Sequence, residues 1–135
     1  MTYLKPPLFT RRVFNPLAKR FGIGGAVELV IPRRRTGEAQ SIPVIPIEHE
    51  GARYLVSTRG ESEWVRNLRA AACCGKLRRK GAPEPFLATE IPVQERPPII
   101  AAYRAVAGKT VEAYWKKLPD PADHPVFRID PAGSY

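Results

Sequence analysis

Two short polar turns carry the side chains in this chain of 135 residues that are equipped to hold an anion. Arg33-Arg34-Arg35-Thr36-Gly37 gathers three guanidiniums, a hydroxyl and a glycine. Ser57-Thr58-Arg59-Gly60 is a smaller version of the same set. Guanidinium forks match the oxygens of phosphate and carboxylate, and hydroxyls and backbone N–H groups can complete the shell. The second turn runs into a helix start, where outward N–H groups and the helix dipole favour negative charge. The plainer alternatives are a solvated arginine loop and an ordinary strand-to-helix connection. No nucleophile–base pair stands out, and no Gly-x-Gly-x-x-Gly or Walker-type sequence is present. Phe21-Gly22-Ile23-Gly24-Gly25 precedes a strand instead of opening a helix after one, so it is a poor nucleotide signal. His49 lies in a charged turn and His124 precedes a proline at a strand start; both are expected to be surface or capping residues.

The elements that must place the two turns follow from pattern. Ala26–Ile31 reads as a strand before the first turn, and Arg53–Ser57 as the strand before the second. Between them Ile42–Ile47 is a strand whose Pro43 and Pro46 cannot donate to a ladder, so it sits at an edge or is bulged. Trp64, Val65, Leu68 and Ala72 recur at helical spacing and predict a helix from about Ser62 to Ala72. Gly75–Lys80 and Pro85–Glu90 read as further strands. Pro97 and Pro98 open a helix with Ile99, Ile100, Tyr103, Val106 and Ala107 on its apolar face, ended by Gly108. Thr110 is the expected cap of a last helix holding Tyr114, Trp115 and Leu118, and Pro125–Ile129 is the last strand. Strands do not alternate singly with helices, which argues against a doubly wound parallel sheet. The fold predicted is a mainly β, barrel-like sheet of about six antiparallel strands with three or four helices.

The formal charge is +9, and its placement is uneven. Residues 1–81 hold 16 Lys and Arg against 6 Asp and Glu, net +10, and the remainder is net −1. Such a basic surface attracts a polyanion: nucleic acid, acidic lipid or a phosphorylated cofactor. Nucleic-acid binding is not expected, because the arginine run has no aromatic residue interleaved with it. Cys73 and Cys74 are adjacent and have no metal-ligand spacing to either histidine, so reduced thiols and no metal site are expected. No apolar signal core opens the chain, and no window reaches the roughly 20 apolar residues of a membrane span; the expectation is a cytoplasmic protein. Residues 1–22 read as an extension containing a short amphipathic helix over 11–22, with the main domain over 23–135. That helix, with Arg11, Arg12, Lys19 and Arg20 flanking its apolar side, suits packing on the domain's own core or peripheral contact with a membrane surface.

Several segments, in order, resemble the deazaflavin (coenzyme F420)-dependent nitroreductase and quinone reductase family. Arg34-Arg35-Thr36-Gly37 is similar to that family's basic Ser/Thr-Gly turn, and Ile42-Pro43-Val44 to the proline-bearing strand after it. Ser57-Thr58-Arg59-Gly60 resembles its Ser-Lys-rich turn, and Trp64-Val65-Arg66-Asn67-Leu68-Arg69 its Trp-x-x-Asn-Leu helix. His124-Pro125-Val126-Phe127-Arg128-Ile129 is similar to its closing strand. The resemblance implies a split β-barrel of the FMN-binding type and a deazaflavin cofactor carrying a phosphodiester and an acidic tail. It implies that Arg34, Arg35 and Thr36 hold the phosphate. Gln40, Ser41, Ile42, Pro43, Val44 and Ile45, with Val56, Ser57, Thr58 and Arg59, would line the ring. Trp64 and Asn67 would close the pocket. The implied reaction is hydride transfer from reduced deazaflavin to a small-molecule electron acceptor: a quinone, a nitroaromatic or an activated alkene. Tyr114 and Thr58 are the candidates to stabilise or protonate that acceptor; Tyr103 is assigned to the core. FMN is the alternative cofactor, and a non-catalytic ligand carrier the alternative role. The barrel architecture supports a monomer or a homodimer.

Overall fold

The computed structural model describes residues 26–79 and 81–132. Seven strands form one antiparallel sheet: β1 (Val27–Pro32), β2 (Ala39–Val44), β3 (Ile47–His49), β4 (Ala52–Val56), β5 (Cys74–Arg78), β6 (Glu84–Glu90) and β7 (Val126–Pro131). Their order is β2-β1-β5-β6-β7-β4-β3. Helix α1 (Glu63–Ala70) follows β4, and α2 (Arg96–Ala107) and α3 (Lys109–Lys117) follow β6. The expected mainly β, split-barrel architecture is the one the chain adopts. The domain boundary after residue 22 and the helix over residues 11–22 lie outside the described residues. Among the described residues no helix is long and apolar enough to cross a membrane.

The connection between β2 and β3 shows why the sheet must curl. These strands occupy its two opposite edges, yet only Ile45 and Pro46 separate them. At about 4.8 Å per strand, a flat sheet of this width would hold its edges about 29 Å apart. Val44 to Ile47 can span at most about 11 Å. The edges therefore meet, and the sheet closes on itself. The single strand expected over Ile42–Ile47 is in fact this crossing. Pro46 has no N–H to give, so the ladder stops at Val44 and resumes on the other edge. Pro43 stays in β2 because β2 is an edge, opposite Glu28 of β1.

Alternate residues of the curled sheet meet inside it. Leu29, Ile31, Leu55, Phe86, Phe127 and Ile129 pack there with Trp64, Val65 and Leu68 of α1. Gly75 keeps room for Phe86 directly across the ladder: a Cβ at Gly75 would lie 2.7 Å from the Phe86 ring. A second cluster forms where α2 and α3 cover β3, β4 and β7, and contains Ile47, Val56, Ile99, Ile100, Tyr103, Val111, Trp115 and Val126. Strand β7 serves both, with Val126 and Phe127 each fully buried.

Three local expectations change. Helix α1 ends at Ala70, and Ala72 and Cys73 take φ of 55° and 62°, so Ala72 is exposed in a turn instead of extending the apolar face. Val106 is 41 % exposed and is not part of the buried face of α2. Thr110 does not cap α3: Gly108 holds that position, and the Thr110 hydroxyl donates to the Ala107 carbonyl at 2.8 Å.

Candidate anion-binding site

The first turn is closed by Arg33 N–H donating to the Glu38 carbonyl and Gly37 N–H to the Arg33 carbonyl, both at 2.8 Å. Gly37 has φ of 78°, which a side chain would strain. Helix α1 meets this turn through Asn67, only 3 % exposed. The Asn67 Oδ1 accepts from Arg34 N–H at 3.1 Å and Arg34 Nη1 at 2.8 Å, and Nδ2 donates to Gln40 Oε1 at 2.8 Å. Arg34 Nη1 also reaches Glu63 Oε1 at 2.9 Å. The Arg34 hydrogen bond holds the Glu63 carboxyl below the usual carboxylate range, against its partial burial, with the Arg34, Arg66 and Arg35 charges adding to the shift. Arg35 is exposed, and the Thr36 Oγ1 accepts from Glu38 N–H at 3.2 Å. Arg34, Gln40, Glu63 and Asn67 are thus one connected cluster, with Arg35 and Arg66 in its field.

The second turn begins at Ser57, whose N–H donates to the Pro125 carbonyl at 2.9 Å. Its hydroxyl donates to the Gly60 carbonyl at 2.6 Å and lies 3.3 Å from the Ser62 hydroxyl at the start of α1. Thr58 is buried, and the Arg59 guanidinium lies 6.0 Å from the centre of the Tyr114 ring. The structure thus brings the two candidate catalytic positions to one turn and the helix facing it. Tyr103 sits in the second core cluster, and its burial pushes the phenol up, the Arg59 charge opposing. Two donors here lack a partner among the described residues: Arg59 Nε and Arg66 Nε, both buried. A buried N–H without an acceptor is costly.

The remaining predicted ring-lining residues divide. Ser41 is exposed and donates to Glu28. That bond, with Arg78, holds the Glu28 carboxyl down. Ile42, Pro43 and Val44 are half-buried along β2, while Ile45 and Val56 belong to the second core cluster. Trp64 lies inside the barrel, tilted against Phe127 at 5.9 Å. Helix α1 therefore turns Asn67 toward the arginine turn and Trp64 toward the core.

Three residues here were not foreseen as important. Arg66 occupied an unassigned helix position in the Trp-x-x-Asn motif. Arg96 is 6 % exposed, donates from Nε to the Ile91 carbonyl at 2.9 Å, and its burial lowers its affinity for the proton. His124 is not a surface residue: it is fully buried, it caps the short turn before it, and both its ring nitrogens meet carbonyl oxygens. Its sequence neighbourhood, Asp-His-Pro, gives no sign of that, because one partner, Ser57, lies 67 residues away and the other at the end of the preceding helix.

The fold and this geometry define a split β-barrel with a basic site at the ends of β1 and β4. No family model and no curated protein matches the chain. Solved structures do. An F420-H2 dependent reductase, FDR-A, superposes with a TM-score of 0.57 at 18 % identity, over 78 % of this chain and 93 % of that one. A candidate 5-nitroimidazole antibiotic resistance protein from Bacteroides thetaiotaomicron gives 0.56 at 13 % identity, over 98 % and 84 %. The heme storage protein HutZ from Vibrio cholerae gives 0.55 at 12 % identity, over 90 % and 92 %. At these identities the likeness shows a shared fold.

Proposed function

We propose that this protein is a cytoplasmic deazaflavin-dependent reductase acting on a small electron acceptor: a quinone, a nitroaromatic or an activated alkene. The observation that carries the reading is the Arg34–Asn67 cluster at the arginine turn, with Arg66 in its field, together with the buried, unpartnered Nε–H donors of Arg59 and Arg66. An anionic, phosphate-bearing cofactor answers all of them. The reductase among the structural neighbours, named for F420-H2, supports that choice over other anions.

Arg34, Arg35 and Thr36 would hold the phosphate, and Arg66 the acidic tail. Gln40 to Ile45 and Val56 to Arg59 would border the ring. When bound in its reduced form, the cofactor supplies a hydride. The chain's own residues do the rest. Asn67 fixes the Arg34 backbone and guanidinium together, so the anion meets a preset fork. Arg59 places positive charge beside Tyr114, where negative charge developing on the acceptor is stabilised. The Tyr114 phenol donates a hydrogen bond or proton to that acceptor, with the Thr58 hydroxyl as the second candidate donor.

Steady-state oxidation of the reduced cofactor with menadione tests this. Tyr114→Phe is expected to lower kcat about a hundredfold, the scale of one proton donor, with cofactor affinity unchanged. Absence of turnover with quinone, nitroaromatic and alkene acceptors alike would refute the reductase reading.

A further inference from the structure

We propose that residues 11–22 of this chain dock in the second mouth of the barrel, at the end opposite the arginine turn. A sheet curled on itself has two mouths, and among the described residues one of them is filled. Helix α1 fills it, with Trp64, Val65 and Leu68 packed inside against Leu29, Leu55 and Phe127. The other mouth lies where β1 and β4 begin and holds a hollow of about 900 Å³. Its rim passes through Val27, Leu77, Glu84, Arg53 and Glu48, and Pro46 closes it at the crossing from β2 to β3. Val106 of α2, which is exposed, also lines this hollow.

Reach, shape and charge choose this occupant. The chain enters the sheet at Val27, which stands on the rim, so the residues before it start at the mouth. Seven strands about 4.8 Å apart close into a ring roughly 11 Å across, and the six steps from Phe21 to Val27 reach at most about 20 Å. Gly22, Gly24 and Gly25 in that stretch permit a tight return over the rim. The filled mouth takes three large apolar side chains from one segment. Residues 11–22 offer a matching set: Leu17 and Phe21 stand four apart, with Val13 and Phe14 before them. Residues 1–25 carry Lys5, Arg11, Arg12, Lys19 and Arg20 and no Asp or Glu. Glu48 and Glu84 are exposed on the rim to receive such cations, and Arg53 and Arg79 on the same rim repel them toward those two carboxylates.

Docked there, the segment seals the apolar interior at Val27 and Leu77 and covers Val106. It leaves the arginine turn, Arg59 and Tyr114 untouched, because these belong to the other end of the barrel. The inference therefore stands apart from the reductase reading, and either can fail alone.

The test uses the full chain with Cys73→Ser and Cys74→Ser, which removes its own two thiols. Ala18→Cys is combined with Val106→Cys at this mouth and, in a second protein, with Arg35→Cys at the opposite end. A short bismaleimide is expected to join positions 18 and 106 within one chain and to leave positions 18 and 35 unjoined. Equal joining of both pairs would overturn the proposal, and so would joining only between chains, which would give the mouth to a second copy. Vesicles of phosphatidylglycerol are expected to leave the link between 18 and 106 intact. Its loss as the protein sediments with the vesicles would assign the segment to a membrane surface instead. In Leu17→Asp, amide exchange over residues 17–21 should quicken about ten- to a hundredfold, the weight of one buried apolar side chain, while α1 keeps its rates. Unchanged exchange over 17–21 would contradict the docking. If that variant fails to fold, the cross-linked pairs decide alone.

Discussion

Arg34 already has a counter-charge within its own chain. Glu63 takes its Nη1 at 2.9 Å, and Glu63 is exposed enough to swing away. An arriving phosphate must displace that carboxylate, so Glu63 opposes cofactor entry. Glu63→Gln is therefore expected to tighten binding of the anionic cofactor several-fold, measured by calorimetric titration; weaker binding would mean Glu63 positions Arg34 instead of competing for it. At this scale the sequence was legible for the form of the turn that gathers Arg33 to Gly37, which its glycine closes. It was not legible where burial decides the role. Trp64 and His124 have the residue types of ligands or surface groups, and only the folded chain shows Trp64 inside the barrel and His124 buried against Trp115.

At the scale of elements, turn chemistry spoke clearly when glycine or proline was present. Glu50-Gly51, both at positive φ, closes the tight β3–β4 hairpin, and Gly108 separates α2 from α3. Gly108 has φ of 71° and ψ of −152°, a region that only glycine enters cheaply. Gly108→Ala is expected to cost about 1–3 kcal/mol and to lower the melting temperature, because the bend that seats Trp115 and Val111 cannot relax. A melting curve identical to wild type would show the bend to be unstrained. Where such punctuation was missing, the reading erred. Nothing marks Ala72 and Cys73 as left-handed, so α1 was read too long. The split of β2 from β3 follows from Pro46, but only sheet closure explains why the chain crosses there.

Over the whole molecule, among the described residues, one sheet buries apolar side chains on both sides. Six of the chain's thirteen carboxylates pair with arginines. Hydrogen bonds from Ser41 and Arg78 hold Glu28 down, one from Arg34 holds Glu63 down, and one from Arg104 holds Glu112 down. A lowered folded value means that the unfolded chain binds the proton more readily. The stabilisation is therefore fully present above the ordinary value of 4.5 and is lost as pH falls through the lower folded values. All three groups are largely solvent-facing, so the effect is modest and weakens with salt. Denaturant unfolding at descending pH should show the midpoint fall below about pH 4.5; a midpoint that rises there would contradict these pairings.

The central claim is that this basic split barrel holds an anionic deazaflavin through Arg59 and Arg66. Its most direct test is calorimetric titration with the oxidised deazaflavin, FMN and haem, in wild type and in Arg59→Ala and Arg66→Ala. Saturation by the deazaflavin is expected, weakened about ten- to a hundredfold in each variant, the weight of a charge-assisted hydrogen bond. Binding of FMN or haem in its place, or deazaflavin affinity indifferent to both arginines, would contradict the account.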